Sequence, residues 1–257
     1  MRNVLYRPPD QRSAGRNPHD RGLARRLLVG AGVGVLVAIP FTLLLLLVES
    51  AWEPLENLDR TVADNLNQAA QGHSGRVHAL EVLATGLDPW VFRAAVVAVA
   101  IWLWRRGATR LAVWATVTMV IGAVLGVVLK LIVARTRPAL PHPVAHASGY
   151  SFPSGHALNS FLCVGILVLV FLPVLRPAGK VVAYTVGAAL VLLTGYDRVA
   201  LGVHYVSDVL AGWGAALAVI AGTAAAFEIW RREHGRPSST ASQGVDPDAA
   251  NEMSRPG

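Results

Sequence analysis

Polar and apolar positions along this chain are sorted into long blocks rather than short alternations. Six blocks are uncharged or nearly so: Leu27–Val48, Pro89–Trp104, Leu111–Leu129, Ala157–Leu175, Val181–Tyr196 and Val209–Phe227. A helix needs about 20 residues to cross about 30 Å of hydrocarbon, and five of the six are read as spans on length, Val181–Tyr196 being the shortest at 16 residues. Pro89–Trp104 differs because Arg93 sits inside it. Its start is nonetheless marked, with Asp88 placed as N-cap and Pro89 at the first helical position. Trp90, Trp102 and Trp104 fall near the two interfaces, and Arg93, one turn in, can snorkel outward. The pattern predicts an all-α fold, a polytopic membrane helical bundle of six transmembrane helices. Between the first two spans, Leu58, Val62 and Leu66, then Val77, Leu80, Leu83 and Leu87, recur at helical spacing. Leu55–Leu87 is therefore expected as one or two amphipathic helices on the outer surface, either packed as a lid or guiding lipid.

Composition agrees with the block pattern. The chain is 53% hydrophobic and 15% charged, against roughly 25% charged in an average soluble chain. The net charge of +7 could suit nucleic acid, but its placement points to membrane orientation instead. With six spans both termini share a side. If that side is the cytoplasm, it holds 16 of the 23 lysines and arginines, leaving Arg60, Arg76, Arg93, Lys130, Arg135, Arg137 and Arg198 outside. The short loops decide the matter, because Arg105, Arg106, Arg110, Arg176 and Lys180 fall inside with no acidic neighbour. The expected organisation is a disordered basic cytoplasmic N-terminus over residues 1–26, a membrane domain over 27–230, and a disordered cytoplasmic tail over 231–257. The first apolar run lacks an A-x-A-like cleavage pattern and is expected to stay as a span. Cys163 is the one cysteine; it permits no intrachain disulfide and no cysteine-based zinc site.

The chemistry-bearing residues fall on one side of this layout. Lys130, six residues, then Arg137-Pro138 close the third span. Pro153-Ser154-Gly155-His156 opens the fourth, and Arg198, five residues, His204, three more and Asp208 join the fifth to the sixth. Each piece has a plain structural reading: Lys130 and Arg137 as interface anchors, Ser154 as a helix cap, and His204 and Asp208 as a structural or metal-binding pair. Together they suit an anion. Lys130 follows a long uncharged run, where an unpaired cation is costly. A helix N-terminus offers free N–H groups, and Gly155 lets an oxyanion approach the backbone. His204 and Asp208, four apart, share a helix face, so the carboxylate can orient the imidazole. Three cations would stabilise charge in phosphoryl transfer, and two histidines would divide the roles of nucleophile and general acid.

These three motifs, in this order and spacing, resemble the signatures of the type 2 phosphatidic acid phosphatase superfamily, which contains membrane lipid phosphatases, undecaprenyl-diphosphate phosphatases and soluble vanadium haloperoxidases. The resemblance covers a motif core of roughly residues 109–227. It implies that His204 attacks phosphorus and forms a phosphohistidine, that Asp208 orients it, and that His156 protonates the leaving oxygen and then activates water. Lys130, Arg137 and Arg198 would hold the phosphate with the backbone of Ser154 and Gly155. No metal or other cofactor is implied. The implied substrate is a lipid phosphate or diphosphate (undecaprenyl diphosphate, phosphatidic acid or phosphatidylglycerol phosphate), met at the extracytoplasmic face of the plasma membrane. Asp197 departs from the pattern, which usually has serine before the motif arginine; it is expected either to tie down Arg198 or to weaken phosphate binding. A non-enzymatic lipid-binding or transport protein is the alternative, but transporter sites are expected near the midplane on broken helices, and these motifs lie at helix ends.

Overall fold

The computed structural model of the protein describes residues 32, 35, 36, 38–140 and 144–254. The expected N-terminal segment 1–26, the beginning of the first span and the last three residues lie outside the described residues. Within them every regular element is helical: α1 (Ala38–Glu49), α2 (Glu53–Gln71), α3 (Ser74–Gly86), α4 (Pro89–Arg105), α5 (Thr109–Val133), α6 (Gly155–Phe171), α7 (Pro177–Ala200), α8 (Val206–Glu233) and α9 (Ala249–Met253), with a short 3₁₀ turn at Ala241–Gln243. Four stretches are long and apolar enough to cross a membrane: Ser74–Arg105, α5, α7 and α8. The number rises to five if α1 and α2, which meet at 89°, count as one bent span. At 17 residues, α6 is about 26 Å long, slightly short of the hydrocarbon thickness.

The outer surface has the character the block pattern requires. On α5, Val120, Val124, Val127 and Leu131 are each at least half exposed; their spacing places them on one stripe of the helix, which suits lipid rather than water. The centre of the bundle is α6, packed against α4, α5, α7 and α8. Its Leu158, Leu162, Ile166 and Val170 are almost wholly buried. Lipid supplies no hydrophobic force between helices, so close backbone approach and polar contacts must do more. At Gly212 an added Cβ would lie 2.8 Å from the Ser154 carbonyl oxygen and 2.9 Å from the Leu158 nitrogen. Only glycine lets α8 meet the start of α6 at that distance. Deeper in, the hydroxyls of Thr118 and Thr223 pair at 3.0 Å and join α5 to α8.

Three expectations change. First, the Leu55–Leu87 segment forms two helices, within the expectation, but the stripe that α2 buries is Asp59, Ala63, Asn67 and Ala70 rather than the leucine stripe. Val62 and Leu66 are only half-buried and Leu58 is exposed. The polar contacts described below, rather than the leucines, set the rotation of α2. Second, Arg93 does not snorkel outward: its Nε donates to Asn159 Oδ1 at 2.8 Å. Third, the tail read as disordered is packed as far as residue 254, with Val245, Asp246, Ala249 and Met253 buried. Arg231, 1% exposed, holds it through Asp246 at 3.3 Å and Asp248 at 2.9 Å. Composition missed this because the few apolar residues of the tail, Val245, Ala249 and Met253, join the core only once the ion pairs of Arg231 and Arg110 bring the segment against the bundle.

Candidate active site

The end of α5, the loop after it, the start of α6 and the turn between α7 and α8 meet at one end of the bundle. They bring all eight sequence-predicted site residues together. Lys130 lies over the start of α6, where a Cβ added at Gly155 would be 3.8 Å from its Cε. Gly202, at φ +74°, makes the α7–α8 turn; an added Cβ there would come within 2.9 Å of Asn67. That turn presents His204 inward. A cavity of about 370 Å³ is lined by Lys130, Arg137, Gly155, His156 and His204, and also by Arg93. Ser154, Arg198 and Asp208 stand behind this lining.

His204, 3% exposed, is held from both ring nitrogens. Arg137 Nη1 lies 3.1 Å from Nε2, and Asp208 Oδ2 lies 3.4 Å from Nδ1. A guanidinium can only donate, so Nε2 must carry the lone pair and Nδ1 the proton. Burial pushes the His204 pKa below the ordinary histidine value, against the opposing pull of the Asp208 carboxylate. The ring is therefore neutral near neutral pH, with its Nε2 lone pair at the cavity. Backbone carbonyls fix the two cations beside it. Lys130 Nζ donates to the Tyr150 carbonyl at 2.7 Å. Arg137 donates to Val203 at 2.7 Å, Gly149 at 3.0 Å and Ser148 at 3.1 Å. Burial draws the Arg137 pKa down while Asp208 opposes that pull and Arg198 adds to it; the group remains a cation.

On the other side of the cavity, Arg198 Nη1 lies 3.2 Å from His156 Nε2. Asp197 pairs with the same guanidinium, its Oδ2 taking Nε at 3.0 Å and also Nη2. The carboxylate in the unusual position thus neutralises Arg198 and fixes its orientation. Ser154 also differs from expectation. Its hydroxyl caps α6 by accepting from Ala157 N at 3.4 Å, and its own N–H donates to the Asp208 carbonyl at 2.9 Å. That N–H is committed to holding α6 against α8. The N–H groups of Gly155 and His156 have no protein acceptor among the described residues, and they form the open N-terminus of the helix.

Behind Asp208 lies a network that motif reading passed over. Arg135 donates to Asp208 Oδ1 at 2.7 Å, to Ser207 Oγ at 2.7 Å and to Asp59 Oδ2 at 3.0 Å. Asp59 also accepts the Ser207 N–H at 3.0 Å and pairs with the Ser207 hydroxyl. Asp59 and Asp208 are 1% and 0% exposed, and Arg135 lies 4.4 Å over the Tyr205 ring. Burial tends to lower the Arg135 pKa, but Asp208 and Asp59 outweigh it and the net shift is upward. The one sequence signal was an acidic residue amid the apolar positions of α2, and nothing in the chain names its partner across 76 residues. Arg93 was missed in the same way. Among the described residues no three His, Cys, Asp or Glu side chains gather in a group able to hold a metal ion.

A helical, apolar-surfaced bundle with a cationic two-histidine cavity at one end defines a class, an integral membrane protein with an anion-binding site. Residues 111–232 match the model of the PAP2 superfamily. Within that class the chain is similar to phosphatidylglycerophosphatase B of Bacillus subtilis, at 41% identity over 97 residues, 36% of this chain and 46% of the relative. It is similar also to an undecaprenyl-diphosphatase of Sulfolobus acidocaldarius, at 33% identity over 106 residues, 38% of this chain and 46% of the relative. The chain thus matches about half the length of each curated relative. In fold it resembles the crystal structure of a transmembrane PAP2-type phosphatidylglycerolphosphate phosphatase from Bacillus subtilis. That likeness has a TM-score of 0.66 at 20% identity and covers 79% of this chain and 96% of the other.

Proposed function

We propose that this chain is a lipid phosphatase of the plasma membrane, hydrolysing a lipid phosphate or diphosphate through a phosphohistidine at the extracytoplasmic face. The observation that carries the reading is His204, buried and neutral, with Asp208 at 3.4 Å from Nδ1 and Arg137 at 3.1 Å from Nε2. An imidazole so held is a nucleophile with its proton placed on the far nitrogen. Its lone pair opens onto a cavity that also holds Lys130 and the free N–H groups at the start of α6. In the first step, Nε2 bonds to phosphorus as the bond to the leaving oxygen breaks, and Asp208 stabilises the charge that develops on the ring. His156 gives the leaving oxygen its proton. In the second, His156 takes a proton from water as the water oxygen attacks phosphorus, and the N–P bond breaks to release phosphate. Lys130, Arg137 and the N–H groups of Gly155 and His156 hold the equatorial oxygens throughout. Arg198, fixed by Asp197, lies against His156 and completes the ring of cations.

Six spans are the natural reading of the bundle if α1 and α6 cross with the other four, and the basic short loops then place the site outside. The relatives' names support a lipid headgroup as substrate. Polyprenyl diphosphate is favoured, with phosphatidylglycerol phosphate and phosphatidic acid as the other candidates. The test is phosphate release by the purified, detergent-solubilised chain from these three lipids with EDTA present. Release that survives EDTA, is blocked by vanadate as a transition-state mimic, and falls below about a tenth in His204→Ala supports the reading. Loss with EDTA and rescue by a divalent ion would sink the metal-free phosphohistidine route. The facing is tested separately: a cysteine introduced by Ser148→Cys, with Cys163 removed, should react with an impermeant reagent in intact cells, and labelling only after lysis would invert the topology.

A further inference from the structure

Arg93 is a cation that the reaction just described does not use. It lies in the second turn of α4, half-buried, and faces the cavity that holds Lys130, Arg137, His156 and His204. Its position is fixed. Nε donates to Asn159 Oδ1 at 2.8 Å, and Asn159 Nδ2 in turn donates to the Gly155 carbonyl at 2.7 Å. Asn159 is 4% exposed, so this amide ties the guanidinium to the same helix start that presents Gly155 and His156. Trp90, largely exposed and also on the cavity lining, covers one face of the guanidinium at 5.2 Å. No carboxylate pairs with Arg93 among the described residues, and Nη1 and Nη2 take no protein acceptor there. A cation on an apolar helix, turned inward and bonded to one neutral amide, is costly unless an anion completes it.

Charge counting says which anion. Arg198 is neutralised by Asp197 and Arg135 by Asp59, while Asp208 and Asp88, 3.4 Å from His204 and 3.9 Å from His156, are set against charge on the two histidines. Lys130 and Arg137 are left to face the cavity, two positive charges against the two negative charges of a terminal phosphate. Arg93, on α4, adds one more. The inner phosphate of a diphosphate carries one negative charge, as does a phosphodiester set between the terminal phosphate and the lipid. A lipid with a single phosphate has no second anion to bring to Arg93. Resting on the phosphatase reading, we propose that Arg93, positioned by Asn159, is a second phosphate-binding residue, and that the preferred substrate is a lipid bearing an inner, singly charged phosphate beside the one removed. Its free N–H groups form the fork that recognises phosphate oxygens.

The experiment compares wild type, Arg93→Gln and Arg93→Lys, as full chains in detergent, on a polyprenyl diphosphate, phosphatidylglycerol phosphate and phosphatidic acid. Wild type should favour a two-phosphate lipid. In Arg93→Gln the ratio of its kcat/KM to that for phosphatidic acid should fall at least about tenfold, the loss expected for one charge-assisted hydrogen bond, mainly through KM. Arg93→Lys should recover part of it. If only the diphosphate ratio falls, the inner phosphate is directly joined; if only the phosphatidylglycerol phosphate ratio falls, it is the separated diester. Equal losses on all three lipids, or none, overturn the proposal. A second measurement separates it from the phosphatase reading: inorganic pyrophosphate should raise the Tm of wild type more than inorganic phosphate does, and Arg93→Gln should abolish the difference. Pyrophosphate binding through Arg93 without turnover of any lipid would leave the subsite standing and the phosphatase reading refuted. Turnover with an unmoved ratio and no pyrophosphate effect would do the reverse.

Discussion

The two ends of the bundle each gather arginines in partly or fully buried positions, and they treat them in opposite ways. At the end away from the cavity, Arg231 meets Glu228, Asp246 and Asp248, Arg110 meets Asp246 and Glu252, and Arg236 meets Asp246 and Asp248. Each of these three arginines has a carboxylate, and the cluster clamps the C-terminal segment to α5 and α8. At the cavity end, Lys130, Arg137 and Arg93 have no carboxylate partner among the described residues and lean on carbonyl or amide oxygens instead. A closed set of charges is a fastening. An open set, kept open at an energetic cost, is what the proposed phosphate site requires.

The sharpest way to break this contrast is to remove one cation from each end. Lys130→Met should lower kcat/KM by about 10²–10³-fold, the usual cost of losing one group that stabilises transition-state charge, while Tm changes little. Arg231→Ala should do the opposite. It leaves buried carboxylates uncompensated, which costs about 3–5 kcal/mol, and it should lower Tm markedly while the protein that remains folded keeps its kcat. Thermal melts and lipid turnover on the same preparations check both. If Lys130→Met proved the unstable variant and Arg231→Ala the inactive one, the assignment of the two ends would be wrong.

A smaller effect is expected from the network that joins the two kinds of cluster. Asp59→Asn leaves Arg135 with Asp208 as its one carboxylate and loosens the group set to orient His204. Loss of such an orienting partner typically costs 10–100-fold. Here it should appear in kcat with KM little changed, and more strongly than any fall in Tm. A change in KM alone would make α2 a substrate-guiding lid rather than a support for the dyad.

The mildest prediction concerns pH. Burial holds the His204 pKa below its ordinary value of about 6.5, so the ring stays neutral, and nucleophilic, as pH falls through that value. The acid limb of kcat/KM should therefore lie below pH 6.5. In Asp208→Asn it should move lower still, because the carboxylate raises the His204 pKa. Stability follows the same sign. Between the two pKa values the unfolded chain binds the extra proton, so this residue's contribution falls as pH drops through that window. An acid limb above 6.5 would mean that His204 is not the buried neutral base described.

The sequence by itself determined what depends on local pattern. Blocks of uncharged residues, Asp88 and Ser154 as caps and basic short loops made the helices, their approximate ends and the shared side of the three motifs legible, because span length and capping are properties of contiguous residues. His204 and Asp208 could be paired from spacing alone, being four apart across the start of one helix. What tertiary structure decided are partnerships between residues far apart in the chain. Nothing near Asp59 announces Arg135, and nothing near Arg93 announces Asn159. The docking of residues 241–254 rests on Arg231 meeting Asp246 across a turn that composition read as disorder. Even Ser154, correctly read as a cap, could not be seen to spend its own N–H on Asp208. That contact exists because Gly212 lets two helices approach until one backbone meets the other, and how closely helices approach is a property of the packed bundle.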